Sequence, residues 1–239
     1  MLDRRGLPVL IILVLGTFAA FVVYGKMFPI NDDNSAGFRV ETNQAITGFL
    51  REIPEDVDAV TQAAQEAGGR LYVGFTAKNR ENLRGVAVLD RGVLGGFHVT
   101  AAAYSTDHPM VRYDDAQTSC TVLFGQDVKD ASGAARYEML STGLRQGDVL
   151  YAEDLSDGYT FLHAEVVPDW EFPAIRVYDA SGTDITTACL GMYLQDYQDL
   201  GASPYDGCAL ILSLSVLAAA LWAVLAEPRE NPRKKLTAQ

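Results

Sequence analysis

Hydrophobic positions crowd the two ends of the chain and alternate with polar ones between them. Gly6 to Gly25 (GLPVLIILVLGTFAAFVVYG) and Gly207 to Ala226 (GCALILSLSVLAAALWAVLA) are each twenty residues without a formal charge. Twenty helical residues at about 1.5 Å each span roughly 30 Å, the thickness of bilayer hydrocarbon. The pattern predicts two transmembrane helices, at residues 7–25 and 207–226. A cleaved signal peptide competes for the first segment, because MLDRR is a short basic start. Its apolar core, however, runs only about 7 to 15 residues and ends at a small-residue cleavage site. Here the run is longer and closes on Phe21, Val22, Val23 and Tyr24, which favours an uncleaved signal anchor.

The middle of the chain changes period. Residues 26–37 read as a polar leash, and Thr42 to Leu50 can begin a helix. Glu55 to Ala67 reads as a firmer helix: Pro54 suits a first turn, Glu55, Asp56 and Asp58 favour the N-terminal dipole, and Gly68 with Gly69 stops it. From Arg70 onward short runs rich in β-branched and aromatic residues alternate with turn residues. They are Leu71–Thr76, Gly85–Asp90, Phe97–Tyr104, Thr118–Phe124, Ala134–Leu140, Tyr159–Val167, Ala174–Tyr178 and Thr183–Ala188. Gly92, Gly95 and Gly96 mark a tight hairpin. The tetrapeptide Asp-Ala-Ser-Gly occurs at Asp130–Gly133 and at Asp179–Gly182, each time as turn chemistry between strand-like runs. Gly191 to Leu200 reads as a short helix. The fold class is therefore α+β: two transmembrane helices flanking one mostly antiparallel β extracytoplasmic domain with one or two packed helices.

Charge decides which side that domain occupies. Arg4 and Arg5 precede the first apolar run, while Arg229, Arg233, Lys234 and Lys235 follow the second, and Lys and Arg collect on cytoplasmic flanks. Residues 1–6 and the tail at 227–239 are expected in the cytoplasm, and residues 26–206 outside it. Those 181 residues hold 13 basic and 28 acidic side chains, and they contain no N-x-S/T glycosylation acceptor, which fits a bacterial protein. The whole chain, 239 residues at a formal charge of -12, lacks the basic surface that nucleic-acid binding requires. No nucleic-acid partner is expected; the lipid bilayer and a membrane or envelope protein are.

Chemistry is sparsely marked. G-x-S-x-G, S-x-x-K, H-E-x-x-H, G-x-x-x-x-G-K, G-x-G-x-x-G and C-x-x-C are all absent, so neither cofactor nor metal is expected. Asp154, Asp157 and their neighbours lack the order of a calcium loop. His163 and Glu165 share a strand face by period 2 and are the candidate acid/base pair, against a plain ion pair. Cys120 and Cys189 can form a disulfide in an oxidising compartment, or remain two buried hydrophobes that never meet. Trp170 and Phe172, framed by Pro168 and Pro173, form the candidate binding loop. The two apolar helices carry no Asp, Glu, Lys, Arg or His, which argues against an ion pathway. Their pairs Gly16/Ala20 and Ser215/Ala219 suit close helix packing. The reading is a two-pass membrane-anchored binding, sensing or assembly module, an accessory part of an envelope complex. The alternative is an envelope enzyme with an unrecognised acid/base site.

Overall fold

The computed structural model describes residues 6–30, 36–51, 56–143, 146–167, 172–190, 195–198 and 204–225. The described residues fall into two compact units, those within 1–27 and 201–239 and those within 28–200.

The first unit is a pair of helices, α1 (Gly6–Met27) and α5 (Pro204–Leu225), each long and apolar enough to cross a membrane. The small residues meet at the seam: Gly16, Ala20 and Ala219 are buried, and Gly16 lies directly against the Ser215 side chain. A Cβ at Gly16 would collide with that hydroxyl, so the absent side chain sets how closely the helices approach. Phe18, Phe21, Leu210 and Val224 point outward. Thr17 and Ser215 return their hydroxyls to the carbonyls of Leu13 and Ile211, at 2.8 and 2.7 Å, so neither leaves a donor unmet in an apolar setting.

The second unit is built in layers. Helix α2 (Ala36–Arg51) lies on a five-stranded sheet of order β1–β2–β3–β4–β11. Those strands are β1 (Ala59–Ala67), β2 (Arg70–Ala77), β3 (Arg84–Arg91), β4 (Phe97–Ser105) and β11 (Gln195–Gln198). The second sheet, β5–β6–β9, comprises β5 (Met110–Asp115), β6 (Cys120–Gln126) and β9 (Thr160–Val166); the third, β10–β7–β8, comprises β7 (Ala134–Leu140), β8 (Val149–Asp154) and β10 (Ala174–Asp179). Every strand pairing is antiparallel. Two short helices, α3 (Val128–Ser132) and α4 (Thr186–Cys189), complete the fold.

Strand alternation distributes side chains into three cores. Leu71, Val73, Phe75, Ala87 and Leu89 face Ile46 and Leu50 of α2. Tyr72, Val86, Val88, Ala101 and Ala103 face Cys120, Val122 and Phe124 of the second sheet. Leu123 and Phe161 point the other way, onto Tyr137, Met139, Ile175 and Val177 of the third sheet. The central strands are covered on both faces, which is why they read as near-continuous apolar runs. Gly74 makes room for the Phe124 ring, which occupies the space a Cβ would need.

Residues 59–67, expected as part of a helix, form β1. The two glycines that resemble a helix stop, Gly68 and Gly69, have φ of 57° and 81°, the left-handed pair that a two-residue hairpin turn requires. Pairing with β2 overrides the weak helical preference of AVTQAAQEA. A register shift between Thr61 and Ala63 divides the strand. Before it, the backbone N–H groups of Ala59 and Thr61 donate to Thr47 Oγ1 (3.0 Å) and Asn43 Oδ1 (2.6 Å) of α2. After it, Gln65 reaches the second sheet, donating from Nε2 to the Ala164 carbonyl (3.1 Å) and accepting from the Ala164 N–H (3.0 Å).

Three further expectations are corrected. Thr183–Ala188 is not a strand: it holds one isolated bridge, Tyr178 to Asp184, and then α4, started where the Asp184 carboxylate accepts from the Thr186 N–H. Within the expected helix Gly191–Leu200, the described residues 195–198 are β11, paired to β4; the rest lie outside the described residues. Asp130–Gly133 is not a hairpin turn but the end of α3, capped by Gly133 at φ 76°, and it joins strands of different sheets. Its twin, Asp179–Gly182, is a turn: Asp179 Oδ1 accepts from the N–H groups of Ser181 and Thr183.

Candidate functional site

Two polar clusters fasten the sheets. The first joins the five-stranded sheet to the second sheet. Arg70, at the start of β2, places Nε 2.7 Å from Asp90 Oδ1 and Nη1 2.8 Å from Asp115 Oδ2, and it also donates to Gln117. Asp115 is 2% exposed and accepts further from Tyr72 Oη (2.9 Å) and the Gln117 N–H (2.9 Å). Burial alone would raise its carboxyl, but these donors and the Arg70 charge outweigh it and hold the group below the usual carboxylate range. Burial pushes the Tyr72 phenol up, and the neighbouring Cys120 thiol up to about 11. In this cluster burial keeps the thiol protonated, and the carboxylate accepts three hydrogen bonds.

The second cluster joins the second and third sheets, and the expected pair lies in it. On β9 the ring of His163 stacks on Tyr151 of β8, centroids 3.8 Å apart, and its Nε2 lies 3.6 Å from Glu165 Oε2. That separation exceeds a hydrogen bond, and the buried Nε2 makes none. Glu165 is half exposed. Behind the histidine, Glu153 accepts from three phenols: Tyr159 at 2.7 Å, Tyr137 at 2.8 Å and Tyr151 at 3.1 Å. Tyr137 and Tyr159 stack in turn on Phe161.

The electrostatics follow from this packing. Burial lowers His163 more than Glu165 and Glu153 raise it, so the imidazole is neutral at physiological pH. Burial works to raise Glu153, but the three phenols hold it ionised and below its ordinary value. The Glu153 bond raises Tyr159, and burial with the same carboxylate raises Tyr137 and Tyr151. A carboxylate held ionised serves poorly as an acid, and phenols committed to it are not available as donors to a substrate. No hydroxyl or thiol is hydrogen-bonded to the Nε2 of His163.

The remaining expected residues are placed apart. Cys120 and Cys189 are free; Cys120 packs between the first and second sheets, while Cys189 packs between the second and third with its thiol 3.2 Å from Ser132 Oγ. Strand β6 separates the two cores, so the fold does not bring the thiols together. Trp170 lies outside the described residues. Phe172 is partly buried and its carbonyl accepts from Thr142 Oγ1 at 2.9 Å. Among the described residues there is no grouping of three or more His, Cys, Asp or Glu suited to a metal ion. Open grooves lie elsewhere, one between α2 and β1 lined by Asn43, Thr47, Arg51, Asp58 and Lys78.

Sequence reasoning paired His163 with Glu165 and missed Glu153 and its tyrosines, because β8 was not expected as a strand. The signal was present: Tyr159, Phe161, His163 and Glu165 keep one period-2 face, and Tyr151 and Glu153 keep another. The chain matches no family model, and no curated protein or solved structure is detectably similar to it, so the reading of the site rests on its geometry.

Proposed function

We propose that this chain is a two-pass membrane protein whose acidic β-rich domain stands outside the cytoplasm, with both termini inside, and serves as a binding or assembly module of an envelope complex. One observation supports it most. Within the domain, the incoming segment bonds beside the start of β4, where the Phe97 N–H donates to the Ile30 carbonyl at 2.8 Å. The outgoing strand β11 runs antiparallel to β4, from Tyr104 toward Ala101, and so heads for that same end. A domain tethered by two membrane segments needs its two connections on one side. The opposite end, with the turns at 78–83 and 179–183, is then the surface offered to partners.

The polar clusters favour binding over turnover, since both are committed to joining sheets. The test is accessibility: in intact cells, a membrane-impermeant thiol reagent should label Ser181→Cys without permeabilisation, and crosslinking from that position should capture a second envelope protein. Labelling that needs permeabilised cells overturns the orientation; a protein that crosslinks to nothing in its native membrane overturns the assembly role. The enzyme alternative keeps one specific support, the unbonded Nε2 of His163 facing Glu165. It requires a substrate to supply the missing partner, and His163→Gln would then abolish activity without unfolding the domain.

A further inference from the structure

The β3–β4 hairpin ends in Gly92-Val93-Leu94-Gly95-Gly96. Val93 is 83% and Leu94 67% exposed, the two most exposed large hydrophobic residues of the described part of residues 28–200. Exposed apolar side chains at a loop tip mark an interaction surface when something nearby can cover them. The flanking glycines close the loop: the Gly92 N–H donates to the Gly96 carbonyl and the Gly95 N–H to the Gly92 carbonyl, both at 3.0 Å. Each peptide group paired in this way carries a reduced penalty on leaving water.

The tip's place in the fold supplies the occupant. Gly96 packs against the carbonyls of Phe28 and Ile30, and Phe28 follows directly on Met27, the last residue of α1. The hairpin therefore sits at the end of the domain where the chain enters from an apolar helix and toward which β11 returns. At the base of the tip, Arg91 lies over the Phe97 ring at 5.1 Å from its centroid, is about half exposed and pairs with Glu66 at 3.8 Å.

We propose that Val93 and Leu94 insert into the interfacial region of the lipid leaflet facing the domain, so that the hairpin is a third, shallow membrane contact. This rests on the membrane reading of α1 and α5, and the experiment separates the two. The full-length chain is reconstituted into vesicles of phosphatidylcholine and phosphatidylglycerol containing lipids spin-labelled near the headgroup or deep in the acyl chain. Trp170→Phe leaves Trp222 in α5 as the reporter of the helix. Trp170→Phe/Trp222→Phe/Leu94→Trp reports the tip, with Val93→Trp as a second tip reporter and Ser181→Trp as the distal one.

Loss of most emission from either tip tryptophan with the shallow label, a blue shift, and no quenching of Ser181→Trp are expected. If the tip tryptophans behave like Ser181→Trp while Trp222 is quenched by either label, the proposal fails and the membrane reading stands. A blue-shifted tip that lipid labels do not quench means that protein, either a second copy or a partner, covers it, and likewise overturns the proposal. If Trp222 itself escapes both the shallow and the deep label, the membrane reading falls and takes the proposal with it.

Discussion

The joint between the first two sheets and the joint between the second and third each centre on one carboxylate, but their partners differ in kind. Asp115 is met by a cation, Arg70, and is almost wholly buried. Glu153 is met by three neutral phenols, beside an imidazole whose Nε2 makes no hydrogen bond. A buried charge with a counter-charge is costly to break and insensitive to pH near neutrality. A carboxylate fed by neutral donors beside a titratable ring tolerates loss of a single donor, and its surroundings respond to acid. The first joint is thus the mechanical one, and the second is where protonation reaches the fold.

The largest way to break this comparison is Asp115→Ala, which takes from Arg70 its buried counter-charge and leaves the Tyr72 hydroxyl with Thr118 Oγ1 alone. Because Asp90 still holds Arg70, the loss should be about 3 kcal/mol, at the low end for a broken buried pair, measured by denaturant unfolding of the full chain in detergent. Glu153→Ala should cost less, about 2 kcal/mol, since three phenols lose an acceptor but no charge is left unpaired. If Glu153→Ala proves the more damaging, the ranking of the two joints is wrong.

Gln65→Ala tests whether β1 and β9 depend on the amide between them. Two hydrogen bonds vanish and the Ala164 peptide is left to find water, for a loss of about 1–2 kcal/mol and faster hydrogen exchange at Ala164. Tyr159→Phe removes one donor of three at a partly exposed position and should cost under about 1 kcal/mol. The smallest effect is the one that names the titrating group. His163 has a folded pKa below its ordinary 6.5, so on acidification the unfolded chain takes up a proton before the folded one does. Its contribution to stability is complete above about 6.5 and is lost as pH falls through that value toward the folded pKa. His163→Gln should flatten stability against pH in that window and leave the slope near Glu153's lower range intact.

Legibility followed from how local the determining physics is. Runs such as Ala134–Leu140 and Ala174–Tyr178 carry their own strand chemistry and turn boundaries, and they fold as read. Strand β1 does not: AVTQAAQEA followed by two glycines serves a helix end and a hairpin equally, and only the free edge of β2 decides. Strands β5 and β8 are mixed in polarity, MVRYDD and VLYAED, because each turns some polar residues into an inter-sheet joint, Asp115 in one and Tyr151 with Glu153 in the other, and leaves Asp114 and Asp154 on open faces. Of the candidate site, the period-2 spacing of His163 and Glu165 was readable from one strand. Glu153, Tyr137 and Tyr151 come from the third sheet, so their convergence on that pair is a product of sheet stacking. Cys120 and Cys189 show the converse: similar in the sequence, they are separated by the face each strand or helix turns inward.

The amide of Gln65 has a consequence for recognition. By occupying both the donor and the acceptor of Ala164, this one side chain impersonates a neighbouring strand at the outer margin of β9, while Asn43 and Thr47 do the same for the opening residues of β1. An extended peptide seeking to lengthen either sheet there meets a ladder already filled. Strand-on-strand growth, a route by which β-rich proteins aggregate, is thereby closed at those two places.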